Sequence, residues 1–199
     1  MDEIYKFIIK VQSIAKIGKI FSKDPYALEN YEELEELSHK ALEAYSGEKI
    51  DKPNIFVRNI YPTPNISCRA LIFNDKKEIL LVKEKAFGTW SLPGGWCDLY
   101  ETPKEAIIKE CRQEAGVDVE VKELLCLHDR KDFVRDKTLS EYVICFYCTI
   151  TKDYHTHCHE IDEVGFFPLD NLPTISHKFN LIELDRALKA LETKKPFFD

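Results

Sequence analysis

The stretch that decides the fold runs from Gly95 to Val117 and reads GWCDLYETPKEAIIKECRQEAGV. A short acidic loop follows the glycine and leads into a helical segment that carries Glu110, Gln113 and Glu114. Residues three and four positions apart share one face of a helix, so these three side chains point the same way. No lysine or arginine lies between the two glutamates on that face. Clustered oxygen ligands suit a hard divalent cation, which would relieve the repulsion between the carboxylates.

The ends of this helix are well specified. Thr102 is a favourable N-cap, Pro103 fits the first helical position, and Glu105 completes a capping box. Gly116 suits the left-handed residue that follows a helix. We therefore assign Glu105 to helix capping, a role that Glu110 and Glu114 do not have. The apolar stripe lies on another side of the helix and consists of Ile107, Ile108, Cys111 and Ala115.

In this stretch the chain resembles the Nudix hydrolases. Their motif is Gly, five residues, Glu, seven residues, Arg-Glu, an apolar residue, any residue, Glu-Glu, any residue, Gly and an apolar residue. At matching positions the sequence has Gly95, Glu101, Glu110, Cys111, Glu114, Gly116 and Val117. The preceding run Trp90–Trp96 is also typical of the family, and the resemblance continues through the flanking strands to the C-terminal helix.

Two positions depart from the family motif. Lys109 stands where the family has arginine, and it keeps the charge but loses the planar fork that grips a carboxylate with two bonds. Gln113 stands where the family has glutamate, and it offers a carbonyl oxygen without negative charge. We expect a site that binds metal more weakly and an activity with a raised metal requirement.

The resemblance implies a three-layer α/β/α fold with a mixed sheet and the hydrolysis of a pyrophosphate bond with Mg²⁺ or Mn²⁺ as cofactor. We assign Glu110, Glu114 and the backbone carbonyl of Gly95 as metal ligands, with Gln113 as a weak or indirect ligand. Divalent metals neutralise the phosphate charge and lower the pKa of a bound water, and a carboxylate can then take its proton. The predicted catalytic residues are Glu110, Glu114 and Glu163.

The general base is the least defined of these assignments. Some family members use a motif glutamate and others use one from a distant loop, which here would be residues 154–163. That loop offers Glu160, Asp162 and Glu163. We select Glu163, beside the predicted strand Val164–Pro168, with an ordinary loop acid as the alternative interpretation.

Four basic or acidic side chains are candidates for substrate contacts. Arg69 enters the first core strand, where related sequences also carry arginine, and Arg58 and Lys83 could also hold phosphate. Glu101 is the fourth candidate, although family members use that position to order the motif helix.

The N-terminal residues 1–46 form a separate helical hairpin in this interpretation. Apolar residues repeat at helical spacing on both sides of Asp24-Pro25, which suits an N-cap and first turn. Such a hairpin is too small to bury both apolar stripes by itself. Residues 47–65 are predicted to be a linker, with a short strand at Ile55–Val57, and residues 66–199 form the hydrolase domain.

A helical pair before the motif resembles one branch of the family, whose members hydrolyse nucleoside diphosphates linked to another group, such as CDP-choline or ADP-ribose. The resemblance implies release of a nucleoside monophosphate and a homodimer formed through the hairpin. A packing element without ligand contacts is the alternative for the hairpin. The alternatives for function are a pyrophosphohydrolase acting on RNA 5′ ends and a non-catalytic Nudix ligand-binding module.

The remaining elements alternate between strands and helices. Asn74-Asp75 predicts a hairpin turn between the first two core strands. The predicted strands are Ser67–Phe73, Glu78–Lys83, Val119–Leu127, Tyr142–Ile150 and Val164–Pro168, and the predicted helices are Thr102–Ala115 and Ser176–Leu191.

Composition excludes several classes of protein. A formal charge of −7 argues against broad attraction to nucleic acid, and no apolar run approaches the length of a membrane span. The N-terminus does not resemble a cleaved secretory signal. The seven cysteines lack framework spacing, which predicts reduced thiols and a cytoplasmic location.

Two patterns of cysteine or histidine residues are candidates for metal binding. Cys145 and Cys148 lie three apart in a predicted strand, so their side chains should face opposite sides and not share a zinc ion. The loop with His155, His157, Cys158 and His159 could bind zinc or copper, although a surface loop of biased composition is the preferred interpretation.

Overall fold

The structure is a computed structural model that describes residues 3–56, 60–98, 100–130, 140–154, 156–176 and 178–199, with the backbone alone for residues 152–154. The chain divides into two compact units, Met1–Thr63 and Pro64–Asp199. No helix in the described parts of the chain is long and apolar enough to cross a membrane.

The first unit contains the expected pair of helices. Helix α1 spans Glu3–Phe21 and helix α2 spans Pro25–Ser46. The Asp24 carboxylate caps α2 by accepting hydrogen bonds from the backbone N–H groups of Tyr26 (2.9 Å) and Ala27 (3.2 Å). Gly47 follows in the left-handed conformation with φ 71°. The predicted helical hairpin is present, with Asp24 and Pro25 in their predicted roles.

A buried polar network fixes the segment after α2 to these helices. The Asn54 side-chain amide donates to the Gln12 carbonyl (3.1 Å) and to Glu35 Oε1 (2.9 Å), and Ile55 N–H donates to Gln12 Oε1 (3.1 Å). The predicted strand at Ile55–Val57 does not form at residues 55 and 56, and Val57 lies outside the described residues, as does Arg58.

The second unit contains two sheets. The strands are β1 Asn65–Ile72, β2 Ile79–Glu84, β3 Thr89–Ser91, β4 Val117–Asp129, β5 Glu141–Tyr154, β6 Ile161–Phe167 and β7 Phe197–Phe198, and the helices are α3 Pro103–Glu114 and α4 Leu181–Thr193. The first sheet is mixed, in the order β1-β5-β4-β7, and in it β5 pairs in parallel with β1 and antiparallel with β4. The second sheet is antiparallel, in the order β3-β2-β6.

The helices cover opposite faces of the sheets. Alternate residues of β2 face opposite sides, so Leu80 and Val82 join the core under α3, whereas Ile79 and Leu81 join the core under α4. The predicted three-layer α/β/α arrangement is therefore confirmed. The same alternation places Cys148 under α3 and Cys145 under α4, as predicted for that pair.

The turn after β1 differs from a simple hairpin. Lys77 N–H donates to the Asn74 carbonyl (3.0 Å), so the predicted turn forms. However, β1 pairs with β5 whereas β2 pairs with β3 and β6, and an isolated bridge between Phe73 and Ile79 is what joins the two strands. The list of predicted strands does not include the two short strands β3 and β7.

Candidate active site

The loop before α3 lies along β1 through backbone hydrogen bonds. Cys68 N–H donates to the Gly95 carbonyl (2.9 Å), and Cys97 N–H donates to the Ile66 carbonyl (3.0 Å). Gly94 has φ 149°, and a Cβ there would lie 2.1 Å from the Cys68 carbonyl oxygen. Only glycine fits this close approach of two backbones.

Gly95 and Glu110 come together as the sequence predicts. A Cβ on Gly95 would lie 2.8 Å from Glu110 Oε1, so the carboxylate occupies the space that a side chain would fill. Helix α3 holds Glu110 in this position because its start is fixed. Thr102 and Glu105 form the complete predicted capping box, in which Glu105 N–H donates to Thr102 Oγ1 (3.2 Å) and Thr102 N–H donates to Glu105 Oε2 (2.8 Å).

Glu114 lies one helical turn further on and also faces the glycine loop. Its Oε2 accepts a hydrogen bond from Gly94 N–H at 2.8 Å. Burial raises the pKa of Glu114 to about 7, and the nearby charges of Glu110 and Glu84 add to the rise, whereas the Gly94 hydrogen bond and Arg69 oppose it. The protein alone thus leaves much of this negative charge uncompensated.

Glu110 shows the same imbalance. Burial raises the pKa of Glu110, with smaller increases from Asp98 and Glu101, while Lys109 and Arg69 lower it. Two half-buried carboxylates beside a backbone carbonyl form an all-oxygen set of the kind that Mg²⁺ and Mn²⁺ prefer. The Gly95 carbonyl retains acceptor capacity because it has two lone pairs and accepts one strong bond, from Cys68 N–H. These residues therefore fit a divalent cation.

Arg69 supplies positive charge to this site from β1. The residue is only 6% exposed, and its guanidinium donates to the Cys68 carbonyl (2.8 Å). Its charge acts on both Glu110 and Glu114. The charge of Arg69 thus belongs to the environment of both glutamates, and its contact with an anionic substrate stays a prediction.

Lys109, which stands at the position of the family arginine, forms two ion pairs. Its ammonium lies 2.6 Å from Asp98 Oδ2 and 2.8 Å from Glu101 Oε2. These contacts, that with Asp98 first, raise the pKa of Lys109. The lysine thereby ties the acidic loop to α3, and Glu101 is held by the helix. This contact supports the helix-ordering role of Glu101 more directly than the predicted substrate contact.

Gln113 is exposed at the edge of the site, and its backbone carbonyl accepts a hydrogen bond from Cys158 N–H (2.6 Å). In the part of the chain that the structure describes, no three or more His, Cys, Asp or Glu side chains form a metal-binding group. The predicted ligand set is not such a group, because it has only two carboxylates and takes its third oxygen from the backbone. His157, Cys158 and His159 do not form such a group, and His155 lies outside the described residues.

Glu163 forms its ion pair with a residue of another strand. It lies within β6 rather than in a loop, opposite Lys83 of β2, and its carboxylate is 2.6 Å from the Lys83 ammonium. Its neighbour Val164 packs in the core under α3, so Glu163 projects from the opposite face of the sheet, on the side of α4. Glu110 and Glu114, in contrast, belong to α3, which covers the other face of that sheet.

Glu84, at the end of β2, is not among the predicted site residues. Glu84 is 8% exposed, lies on the α3 side of its sheet and contributes its charge to the environment of Glu114. The Lys178 ammonium neutralises it at 2.6 Å and also lies 5.3 Å from the centre of the Phe87 ring. The sequence feature that could have identified Glu84 is an acidic residue at the end of an apolar strand.

Comparison with known proteins identifies the family of this chain. The family model described as NUDIX domain matches residues 63–188, which is more than half of the chain. This chain belongs to the Nudix family. As a Nudix hydrolase it is an enzyme acting on pyrophosphate bonds. A second family model, described as "UDP-X-like, N-terminal oligomerisation domain", matches residues 2–53, so the resemblance to a branch with an N-terminal helical unit is confirmed.

Relatives of this Nudix hydrolase extend over most of its length. A Bacillus subtilis protein named "Putative ADP-ribose pyrophosphatase YjhB" is 36% identical over 174 residues, covering 86% of this chain and 83% of that protein. A crystal structure of a UDP-X diphosphatase aligns with a TM-score of 0.65 and 26% identity, covering 98% of this chain and 97% of that one. A crystal structure of an ADP-ribose pyrophosphatase from Streptococcus suis aligns with a TM-score of 0.61 and 33% identity, covering 69% and 100%.

Proposed function

We propose that this Nudix hydrolase cleaves the pyrophosphate bond of a nucleoside diphosphate linked to another group, of the ADP-ribose or CDP-choline type, with Mg²⁺ or Mn²⁺. The products are a nucleoside monophosphate and the phosphorylated second group. The observation that carries the proposal is the placement of Glu110 over Gly95 beside Glu114, which the Gly94 N–H holds. The substrate class is supported by relatives named for ADP-ribose and UDP-X.

In this proposal Glu110, Glu114 and the Gly95 carbonyl hold the cation, and exposed Gln113 contributes weakly or through water. When bound, the cation supplies charge neutralisation and an acidified water. Arg69 holds the anionic substrate from the β1 side, where its charge already reaches both glutamates. Lys109 keeps the acidic loop and Glu101 against the helix, so that the glutamates keep their positions.

The proton acceptor has two candidates. Glu163 is the distant-loop candidate, and a motif glutamate is the other. The ion pair of Glu163 with Lys83 on the α4 side favours a motif glutamate. Turnover of Glu163→Gln decides between them: a large loss of kcat with unchanged metal affinity would identify Glu163 as the base, and a near-normal kcat would exclude it.

The core assignment is tested with Glu114→Gln. Removing one carboxylate ligand is expected to lower kcat/KM by roughly 100-fold or more, since metal assistance contributes several kcal/mol to such reactions. Glu120→Gln is the matched control, because Glu120 is an exposed glutamate on β4. Near-normal turnover of Glu114→Gln would remove the assignment.

The substrate is tested by a Mg²⁺-dependent screen of ADP-ribose, CDP-choline, dinucleotides, sugar nucleotides and nucleoside triphosphates with product analysis. Release of a nucleoside monophosphate supports the proposal. A 5′-monophosphate RNA end would instead indicate an RNA pyrophosphohydrolase, and binding without turnover would indicate a non-catalytic module. A Mg²⁺ titration also tests the weak site: saturation at trace metal would contradict the raised requirement expected from Gln113.

We also propose that the chain forms a homodimer through its N-terminal helices in the cytoplasm. The family model that covers residues 2–53 is described as an oligomerisation domain. One face of α1 leaves Ile4, Phe7 and Ile14 exposed at 59%, 69% and 43%, at helical spacing. Phe7→Glu is expected to convert a dimer to a monomer in light scattering, whereas Lys49→Glu, an exposed charge reversal outside both helices, should not.

A further inference from the structure

Two thiols meet beside the Gly95 carbonyl. Ser67 and Trp96 form an antiparallel bridge, so Cys68 and Cys97 are diagonal neighbours on one face of this backbone pair. Both side chains pack in the core under α3. Burial raises the pKa of both thiols, that of Cys68 to about 12, and each sulfur lies near enough to act on the ionisation of the other. Gly95 has no side chain to separate them.

The two thiols of the pair differ from each other in access. Cys97 is partly exposed, whereas Cys68 is fully buried. Cys158 is the other partly exposed cysteine, and the remaining four are buried. A partly exposed thiol next to a buried one allows the first to react with an oxidant and the second to resolve the product. Because burial raises the pKa of both thiols, this reaction is slow.

Cys68 contacts the site directly, and Cys97 lies within range of its charges. Cys68 donates through its N–H and, at 3.7 Å, through its thiol to the Gly95 carbonyl, which is an assigned metal ligand. Glu110 lies over Gly95 and acts electrostatically on both cysteines. A covalent change at these sulfurs would therefore alter a contact of the Gly95 carbonyl.

We propose that Cys68 and Cys97 form a reversible disulfide that switches off cation binding at Gly95 and Glu110. The inference rests on the proposed function. With a peroxide as oxidant, Cys97 sulfur attacks one peroxide oxygen, the O–O bond breaks, and a sulfenic acid and one water form. The Cys68 sulfur then attacks the Cys97 sulfur, the S–S bond forms and the S–O bond breaks, releasing a second water. Two thiols lose two electrons, and both thiol protons leave in water.

The disulfide would distort the metal site. Diagonal neighbours in an antiparallel pair have Cα atoms about 7–8 Å apart, whereas a disulfide requires roughly 4.4–6.8 Å. The backbone around Gly95 must therefore shift, and its carbonyl loses the Cys68 thiol as a donor. Changes around metal ligands of this kind typically lower metal affinity by roughly 10- to 100-fold.

The test compares reduced and peroxide-treated protein by peptide mass mapping and by Mn²⁺ titration followed by electron paramagnetic resonance. Because both thiols are at least partly buried and react slowly, the oxidant is applied over hours rather than as a pulse. The variants are Cys97→Ser, which removes the accessible thiol, and Cys158→Ser, which removes the other partly exposed thiol and keeps the pair.

We expect a Cys68–Cys97 linked peptide, roughly 10- to 100-fold weaker Mn²⁺ binding, and recovery of both with dithiothreitol in the native protein and in Cys158→Ser. Cys97→Ser should keep its Mn²⁺ affinity under peroxide. Oxidation of Cys97 to a sulfinic acid without linkage overturns the proposal, as does a linked protein with unchanged Mn²⁺ affinity. A reduced protein that does not bind Mn²⁺ refutes the proposed metal site, and with it the switch, even where the linked peptide forms.

Discussion

Gly95→Ala should weaken cation binding while it leaves the stability of the fold nearly unchanged. The added Cβ would lie 2.8 Å from Glu110 Oε1 and 3.2 Å from Oε2, whereas ordinary contacts begin at 3.4 Å. The carboxylate must therefore retreat by about 0.6 Å. Since metal–ligand distances tolerate only about 0.2 Å, this retreat removes or weakens one ligand. We expect Mn²⁺ affinity to fall roughly 10- to 100-fold, or about 1.4–2.7 kcal/mol.

The fold should tolerate this change. The atoms in the way belong to the end of a flexible side chain, and Gly95 does not have a left-handed φ. An alanine there also lowers the entropy of the unfolded chain, so the free energy of unfolding should change by less than about 1 kcal/mol. Thermal unfolding without metal measures this value, and isothermal titration calorimetry with Mn²⁺ measures the affinity.

Gly94→Ala is the contrasting neighbour. Its Cβ would meet the Cys68 carbonyl oxygen at 2.1 Å at a backbone conformation that favours glycine, and a backbone atom cannot move aside cheaply. This variant should lose folding stability along with metal binding. If Gly95→Ala binds Mn²⁺ as tightly as the native protein, Glu110 is not a metal ligand in its observed position.

Three further outcomes follow from the site and its helix. Lys109→Met should weaken metal binding because Asp98 and Glu101 lose their shared partner, and Lys109→Arg should restore it; equal affinities in both variants would contradict this role. The metal-free protein should become less stable as the pH rises from about 4.5 through about 7, by up to roughly 3 kcal/mol, because the raised pKa of Glu114 favours folding only while the carboxyl is protonated. Denaturant titrations at several pH values measure this loss, and Glu114→Gln should flatten the profile. Thr102→Ala should lower the free energy of unfolding by about 1 kcal/mol, since it removes the capping oxygen of α3, and an unchanged midpoint in urea would refute the capping role.

Local rules predicted the motif helix and its neighbours well. The capping box of Thr102 and Glu105 is set by residues three apart, so sequence alone defines it. Gly94 and Gly95 could be recognised as necessary from the family motif, and Glu110 and Glu114 from helical spacing. The faces of β5 followed from alternation, which placed Cys145 and Cys148 on opposite sides.

Features that depend on contacts between distant parts of the chain could not be predicted from the sequence. The face of Glu163 depends on its register with Lys83, eighty residues earlier, and on β6 beginning at Ile161. The burial of Glu84 depends on α3 and on Lys178 arriving from the far end of the chain. The contact of Cys68 with Cys97 requires the loop before α3 to fold back on β1.

The polar network around Asn54 sets a practical limit on how the N-terminal unit can be isolated. Asn54 links the carbonyl of Gln12 in the first helix to the carboxylate of Glu35 in the second, and Ile55 completes the bonding of Gln12. A fragment cut directly after Ser46 would leave these buried polar atoms without partners and uncover the hydrophobic surface that Ile50 and Ile55 protect. An expressed N-terminal fragment intended for assembly studies should therefore extend beyond Phe56.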